Sequence, residues 1–307
     1  MIQSFDTDLR TVSIYAQGDE LVHIFGEDRF EGKRVYSLPD SVTRKIHTFT
    51  NPVLGTDLAK IGELTPPLRD TLAQLYKSNA IETEYDKTSL RFVQSDHPSL
   101  WGPNIDTLLF CQGLRSQVLQ GVGAEIGAGS GFISKYALEH NPGITELELI
   151  DINPAAISCW TRNISDSRMH PFIGDATRIL NGGTKYDFLL CNPPYVPRPQ
   201  EINDNAYEGL GLFTFLLENM DELLNPDGFF IANYSSLCEA DVRTIAQKSG
   251  VGIESLVSKH VPLKVYPIYN DPEWLTFLET QKGLVVDKSR RDHWYWQDIT
   301  IAKFSKE

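Results

Sequence analysis

The chain reads as an α/β protein: a doubly wound, mostly parallel sheet over residues 96–307, preceded by a small α+β domain over residues 1–95. Three observations predict this. From about residue 118 a strand–turn–helix pattern recurs, and repeated β-α units build a parallel sheet with helices on both faces. The first of those strands runs straight into a Gly-rich turn that opens a helix, where open α/β sheets bind their ligands. Before residue 95 the pattern differs, with short alternating runs parted by turn residues.

Residues 10–15 and 20–25 alternate apolar and polar positions across a Gly-Asp turn and predict a hairpin. A polar, Gly-containing stretch follows through Arg34. After Pro66-Pro67, the spacing of Leu68, Leu72, Leu75 and Tyr76 predicts a helix. In the second region residues 121–126 predict a strand, then the Gly-rich turn and a helix to about His140. Residues 146–150 predict the next strand, and Asn153-Pro154 caps the helix after it. Phe172-Ile173-Gly174 ends a third strand and residues 187–191 form a fourth. A helix is expected over about 209–224, stopped by Asn225-Pro226-Asp227-Gly228. Residues 228–233 predict a fifth strand, 240–248 a helix, and 299–304 a closing strand. There is no internal repeat and no low-complexity segment.

With 307 residues, 41% of them hydrophobic and 22% charged, the chain can bury a substantial core. No apolar run is long enough to span a bilayer, and residues 1–6 lack the basic start and apolar stretch of a signal peptide. A cytoplasmic location without a membrane partner is the expectation. Cys111, Cys159, Cys191 and Cys238 are scattered, and three of them sit in apolar contexts and read as buried small hydrophobes; neither they nor the histidines show metal-ligand spacing. A net charge of −13 repels phosphate backbones, favouring a protein, peptide or small-molecule partner unless basic residues gather locally. Gly32-Lys33-Arg34 and Arg44-Lys45 read as solvated surface. Lys288 to Trp296 interleaves basic and aromatic residues; that suits stacking on bases, but also an exposed turn entering an aromatic final strand.

The chemistry-bearing positions cluster at predicted strand ends. Glu125-Ile126-Gly127-Ala128-Gly129-Ser130-Gly131 is G-x-G-x-G, not the dinucleotide G-x-G-x-x-G, so the turn can seat an amino-acid moiety with Glu125 near its ammonium. Asp151, about 20 residues on, stands where an acid accepts from ribose hydroxyls. Asp175 either receives an adenine amine or caps the following helix. Asn192-Pro193-Pro194-Tyr195 follows the apolar strand Phe188-Leu189-Leu190-Cys191. Two prolines stiffen the strand exit and leave an amide, free carbonyls and a ring there, a constellation suited to a flat NH2 group. A plain Pro-rich turn is the alternative.

This ordered set resembles the class I S-adenosylmethionine-dependent methyltransferases over about residues 100–305, and within them those that methylate planar nitrogens. Tyr195-Val196-Pro197, Glu208-Gly209-Leu210 and Leu224-Asn225-Pro226-Asp227-Gly228 are most similar to the release-factor glutamine N5-methyltransferases. The resemblance implies a Rossmann-like, seven-stranded sheet and S-adenosyl-L-methionine as cofactor. Glu125, Gly127, Ala128, Gly129, Gly131, Asp151, Ile152, Asp175, Ala176, Asn192 and Thr107 would border that cofactor. Asn192, Pro193, Pro194 and Tyr195 would form the catalytic motif, with the acceptor amide or base under Tyr195. Upstream, Trp101 to Thr107 occupies the place of the family's Pro-Arg-Pro-Glu-Thr-Glu segment, matching at Pro103 and Thr107. The amino-terminal strands replace the family's helical bundle, and residues 261–296 exceed its usual final hairpin. The expected acceptor is a protein glutamine amide, with an exocyclic amine of RNA or DNA, or a metabolite, as alternatives.

Overall fold

The computed structural model describes residues 3–5, 12–17, 20–27, 30–37, 80–93, 96–97, 99–180, 183–198, 209–263, 272–286 and 295–306. Its contacts divide the chain into two units. One comprises Met1–Pro98, His260–Thr280 and Leu284–Gln297; the other comprises Ser99–Lys259, Gln281–Gly283 and Asp298–Glu307.

In the first unit β1 (Gln3–Phe5), β2 (Val12–Gln17), β3 (Glu20–Glu27), β4 (Phe30–Ser37), β5 (Ala80–Tyr85) and β6 (Thr88–Val93) make an antiparallel meander in chain order. The expected hairpin is present, with Tyr15 facing Val22 and Gln17 facing Glu20. The stretch through Arg34 is a strand, not the polar connection its composition suggested. β4 has a partner on each edge, and that pairing outweighs the weak strand preference of its Gly and charged residues. β5 and β6 meet through Asp86 and Lys87 at φ +46° and +72°, the geometry of a tight two-residue hairpin loop. The helix expected at 68–76 lies outside the described residues.

The second unit carries the recurring β-α pattern. Its elements are α1 (Ile105–Leu114), β7 (Gly121–Ile126), α2 (Phe132–His140), β8 (Ile144–Asp151), α3 (Ala155–Asn163), β9 (Met169–Ile173) and α4 (Ala176–Ile179). They continue through β10 (Tyr186–Cys191), α5 (Gly211–Glu218), α6 (Met220–Leu223), β11 (Leu224–Ser235), α7 (Glu239–Lys248) and β12 (Val251–Pro262). Later in the chain come α8 (Pro272–Glu279) and β13 (Val285–Val286), both counted in the first unit, and β14 (Tyr295–Lys306), whose residues are divided between the two. The strand order is β12-β14-β11-β10-β7-β8-β9, with β13 paired to β14. Strands from β11 to β9 are parallel and β14 is antiparallel to β11. This is the Rossmann-like, doubly wound, mostly parallel architecture. The chain starts at β7, steps out to β8 and β9, then returns to β10 and β11 on the other side. The order therefore reverses between β7 and β10, and ligands bind at the carboxyl ends of strands flanking such a reversal.

Alternation assigns the sheet's faces. Ala124, Ile126, Leu189, Cys191, Phe230 and Ala232 look toward one layer, where they pack with Phe213, Leu216, Leu217, Val242 and Ala246. Glu125, Leu190 and Ile231, also in register, belong to the opposite face. There Gly123 makes room for Phe188: a Cβ on it would lie 2.1 Å from the ring Cζ.

Among the elements not anticipated are α1, β12 and α8. Residues 106–111 of α1 are all buried, so the helix lacks the polar stripe by which periodicity is recognised. The single helix expected at 209–224 breaks at Asn219, whose Nδ2 donates to the Phe215 carbonyl at 2.8 Å, competing with helix propagation. Asn225 to Gly228 do not end the segment in a free turn. They loop out between Leu224, opposite Tyr186, and Phe229, opposite Phe188, with Asn225 Nδ2 donating to Asp187 Oδ1 at 2.7 Å. Among the described residues no helix is long and apolar enough to cross a membrane.

Candidate cofactor and acceptor site

The Gly-rich turn lies at the carboxyl end of β7. Gly127, Gly129 and Gly131 take φ of +68°, +51° and +78°, which only glycine adopts without strain. Their arrangement differs from a phosphate cradle. The Gly127 and Ala128 amides donate to the Ile150 carbonyl at 2.8 and 3.1 Å, and the Gly129 amide donates to Asp151 Oδ2 at 2.8 Å. With those donors engaged inside the fold, the turn does not offer an anion a ring of free N–H groups. It offers a bare backbone surface instead: a Cβ built on Gly127 meets nothing within 4 Å.

The turn is held from behind by α3. Trp160, fully buried, donates its indole N–H to the Gly129 carbonyl at 2.9 Å, and its ring would lie 2.7 Å from a Cβ on Gly131. Trp101 passes in front, its carbonyl 3.2 Å from where a Gly129 Cβ would stand.

Asp151 ends β8. Oδ2 accepts from Gly129 and Oδ1 from the Asn153 amide at 2.8 Å. Burial raises its pKa above the ordinary carboxylate value, opposed by the N–H groups of Asn153, Gly129 and Ile152. Each oxygen keeps a further lone pair, so a diol can still be received. Beside it Ile152, an apolar side chain just past the carboxyl end of β8, is 68% exposed. Asp175 caps α4: Oδ1 accepts from the Thr177 amide at 3.0 Å and its hydroxyl at 2.7 Å, and these bonds lower its pKa. Ala176, the first residue of α4, is half-buried.

Glu125 is 2% exposed and its Oε2 accepts from both the amide and the hydroxyl of Ser134, in the first turn of α2. Gly131, at the head of that helix, has no side chain to cap it, so Glu125 supplies an acceptor from the sheet. Burial pushes its pKa up to about 8. Thr107 closes a capping box on α1: the Asn104 amide donates to Thr107 Oγ1 at 3.2 Å, while Asn104 Oδ1 accepts from Asp106 and Thr107.

Asn192 leaves β10 immediately before Pro193. Its amide is half-buried and makes no hydrogen bond among the described residues. Pro193 is buried, and Tyr195 donates its hydroxyl to Asp106 Oδ2 at 2.7 Å, across 89 positions of sequence. Asp106 is 5% exposed, so the proline loop is tethered to a buried carboxylate at the start of α1.

The structure thus gathers the Gly turn, Asp151 and Asn192 around one sheet edge, and gives Glu125, Thr107 and Asp175 capping contacts. Sequence reasoning missed Asp106, Trp160 and Ser134, whose partners are distant in the chain. Asn104 carried a signal, an Asn with a Thr three positions on. All four cysteines are free and buried, and no described group of His, Cys, Asp and Glu could hold a metal ion.

The geometry fits S-adenosylmethionine: an open glycine face for its amino-acid part, a desolvated Asp151 for the ribose, and the exposed Ile152 for an adenine face. Fold and site together define a Rossmann-like α/β protein with the Gly turn, Asp151 and Asn192 at the carboxyl ends of adjoining strands. Residues 102–232 match the family model for the methyltransferase small domain. The chain is 30% identical over 148 residues to methyltransferase HEMK2 of Mus musculus, covering 43% of this chain and 69% of that protein. It is 33% identical over 125 residues to the release factor glutamine methyltransferase of Aquifex aeolicus, 35% of this chain and 44% of that one. It is also 28% identical over 118 residues to the tRNA1(Val) (adenine(37)-N6)-methyltransferase of Shewanella frigidimarina, 34% of this chain and 47% of that one. The chain therefore spans less than half the length of the last two relatives. It belongs to the class I S-adenosylmethionine-dependent methyltransferases, and S-adenosylmethionine is the cofactor of that class.

Proposed function

We propose that this methyltransferase modifies a planar NH2 nitrogen, and that the acceptor is the side-chain amide of a protein glutamine. The observation that carries this reading is the Asn192 amide: half-buried, without a partner among the described residues, and placed at the strand reversal beside the Gly turn. The cofactor supplies an electrophilic methyl group. The chain's residues prepare the nitrogen. Asn192 Oδ1 accepts one N–H of the acceptor and the Pro193 carbonyl accepts the other, which aims the lone pair and disperses positive charge as it grows on nitrogen. Tyr195, anchored through its hydroxyl by Asp106, offers its ring to the acceptor plane. No base is needed before transfer, because the nitrogen sheds its proton to water afterwards. The glutamine amide is favoured over a nucleobase by the net charge of −13 and by the likeness to the Aquifex relative. Residues 96–307 are assigned to transfer, and residues 1–95, outside the 102–232 match, to an accessory domain that recognises the acceptor.

The test is incubation of cell extract with methyl-labelled S-adenosylmethionine and the purified protein, then separation into protein, nucleic-acid and small-molecule fractions. Label in protein, recovered as N5-methylglutamine after enzymatic digestion, is the expected result. Label in RNA alone would replace the glutamine by an exocyclic base amine.

A further inference from the structure

The reaction read above requires Asn192 to present oxygen, not nitrogen, to the acceptor. An Asn amide is nearly symmetric in shape, and its two orientations differ only in which end faces the substrate. Something must select between them, and among the described residues Asn192 makes no hydrogen bond that does so.

The neighbouring strand carries a second, stranger asparagine. Asn233 in β11 is 0% exposed, and among the described residues neither its Oδ1 nor its Nδ2 has a hydrogen-bond partner. A buried amide with both ends unmet is costly, and folded proteins rarely keep one without a use. Its position is defined by register. β10 and β11 run parallel with Leu190 opposite Ile231 and Cys191 opposite Ala232, so Asn192 and Asn233 follow as the next residues along each strand. Asn233 faces Ile301 across β14, and directly opposed residues share a face. The Ile301 side chain lies 2.8 Å from a Cβ built on Gly113 of α1, which puts Asn233 on the face that α1 covers. Asn192 lies two positions beyond Leu190. Since a residue before proline stays extended, the alternation carries it onto the face of Leu190 and Ile231, which is also the face of Asn233. Parallel strands lie about 4.8 Å apart, a spacing that stacked Asn amides bridge by hydrogen bonding to each other.

We infer that Asn233 is a positioning residue for Asn192: its Oδ1 receives Asn192 Nδ2–H when the acceptor is engaged, turning Asn192 Oδ1 toward the acceptor NH2. This rests on the planar-nitrogen reading of the site. It assigns the unmet buried amide a partner that differs between the free and the working enzyme.

Two variants separate this role from a purely structural one. Asn233→Leu keeps the volume and removes both unmet polar atoms; Asn233→Asp keeps an acceptor oxygen but buries a carboxyl. Positioning predicts different orders in two measurements, with Leu first in one and last in the other. The melting temperature of the cofactor-free protein should rank Leu at or above wild type, with Asp below. The initial rate of methyl transfer, from labelled S-adenosylmethionine into whichever extract fraction the wild type labels, should rank wild type first, Asp second and Leu at least tenfold below wild type. The calorimetric affinity for S-adenosylmethionine should be unchanged in both. A lower melting temperature for Asn233→Leu than for wild type would show the amide already satisfied and overturn the inference, as would an undiminished transfer rate. A wild type that labels no fraction would instead defeat the functional reading, and the inference would fall with it.

Discussion

In the function proposed above, the single amide of Asn192 orients the acceptor and shares the charge that develops on it. Asn192→Ala should lower transfer by about 100-fold or more while leaving cofactor affinity within error, since such preorganised contacts contribute mainly in the transition state. Calorimetry beside a label-transfer assay checks both halves, and an active Ala variant would remove Asn192 from the mechanism. Glu125 makes a separate prediction. Its carboxyl titrates near 4.5 when unfolded and near 8 in the fold. Between those values the folded protein holds more protons than the unfolded one, so stability is greatest below pH 4.5 as far as this group is concerned. It declines as pH rises toward 8 and levels off above, with a slope of at most about 1.4 kcal/mol per pH unit. Glu125→Gln can still accept from Ser134 and carries no charge. Its melting temperature should fall less than that of wild type between pH 5 and 8, as scanning calorimetry at several pH values would reveal.

Helix entries and turns set the site's shape at the level of elements. Gly131 opens α2 at φ +78° with its missing Cβ facing the Trp160 ring at 2.7 Å. Gly131→Ala brings both backbone strain and a clash, and should cost about 2–4 kcal/mol, read as a lower denaturant midpoint at unchanged slope. The capping box on α1 is a milder case. Asn104→Ala loses the acceptor for the Asp106 and Thr107 amides, at about 1 kcal/mol. Because α1 also holds Tyr195 through Asp106, that variant should slow transfer as well as destabilise. The same elements mark what the chain's pattern could convey. β7 was placed at its observed bounds, residues 121–126, because an alternating run flowing into glycines has few other readings. α1 stayed hidden because helices buried on every side show no periodicity, and the break at Asn219 because a side chain competing for one carbonyl leaves no pattern.

For the whole molecule, binding of S-adenosylhomocysteine to the folded state alone should raise the melting temperature. At 100 times the dissociation constant the gain is about 2.7 kcal/mol, or roughly 5–10 °C for a unit of this size. Asp151→Ala, which frees the Gly129 and Asn153 amides and removes the acceptor proposed for the ribose, should abolish most of that shift. By itself the sequence determined the doubly wound architecture, and it is the source of the proposed site. Periodic strands, Gly127 to Gly131, Asp151 and Asn192-Pro193-Pro194-Tyr195 are local signals, readable because backbone geometry and strand-end chemistry depend on neighbours a few residues away. Only the tertiary structure decided what those residues hold: that Glu125 accepts from Ser134, that Asp175 caps α4, that Tyr195 is tied to Asp106, and that Asn233 is buried unmet one strand from Asn192. Each of these is a choice of partner among many polar groups. For Tyr195 and Asp106 that choice is made by packing across 89 positions, which no run of neighbouring residues encodes; Glu125 and Asp175 take nearer partners, nine and two positions on, where several local readings compete.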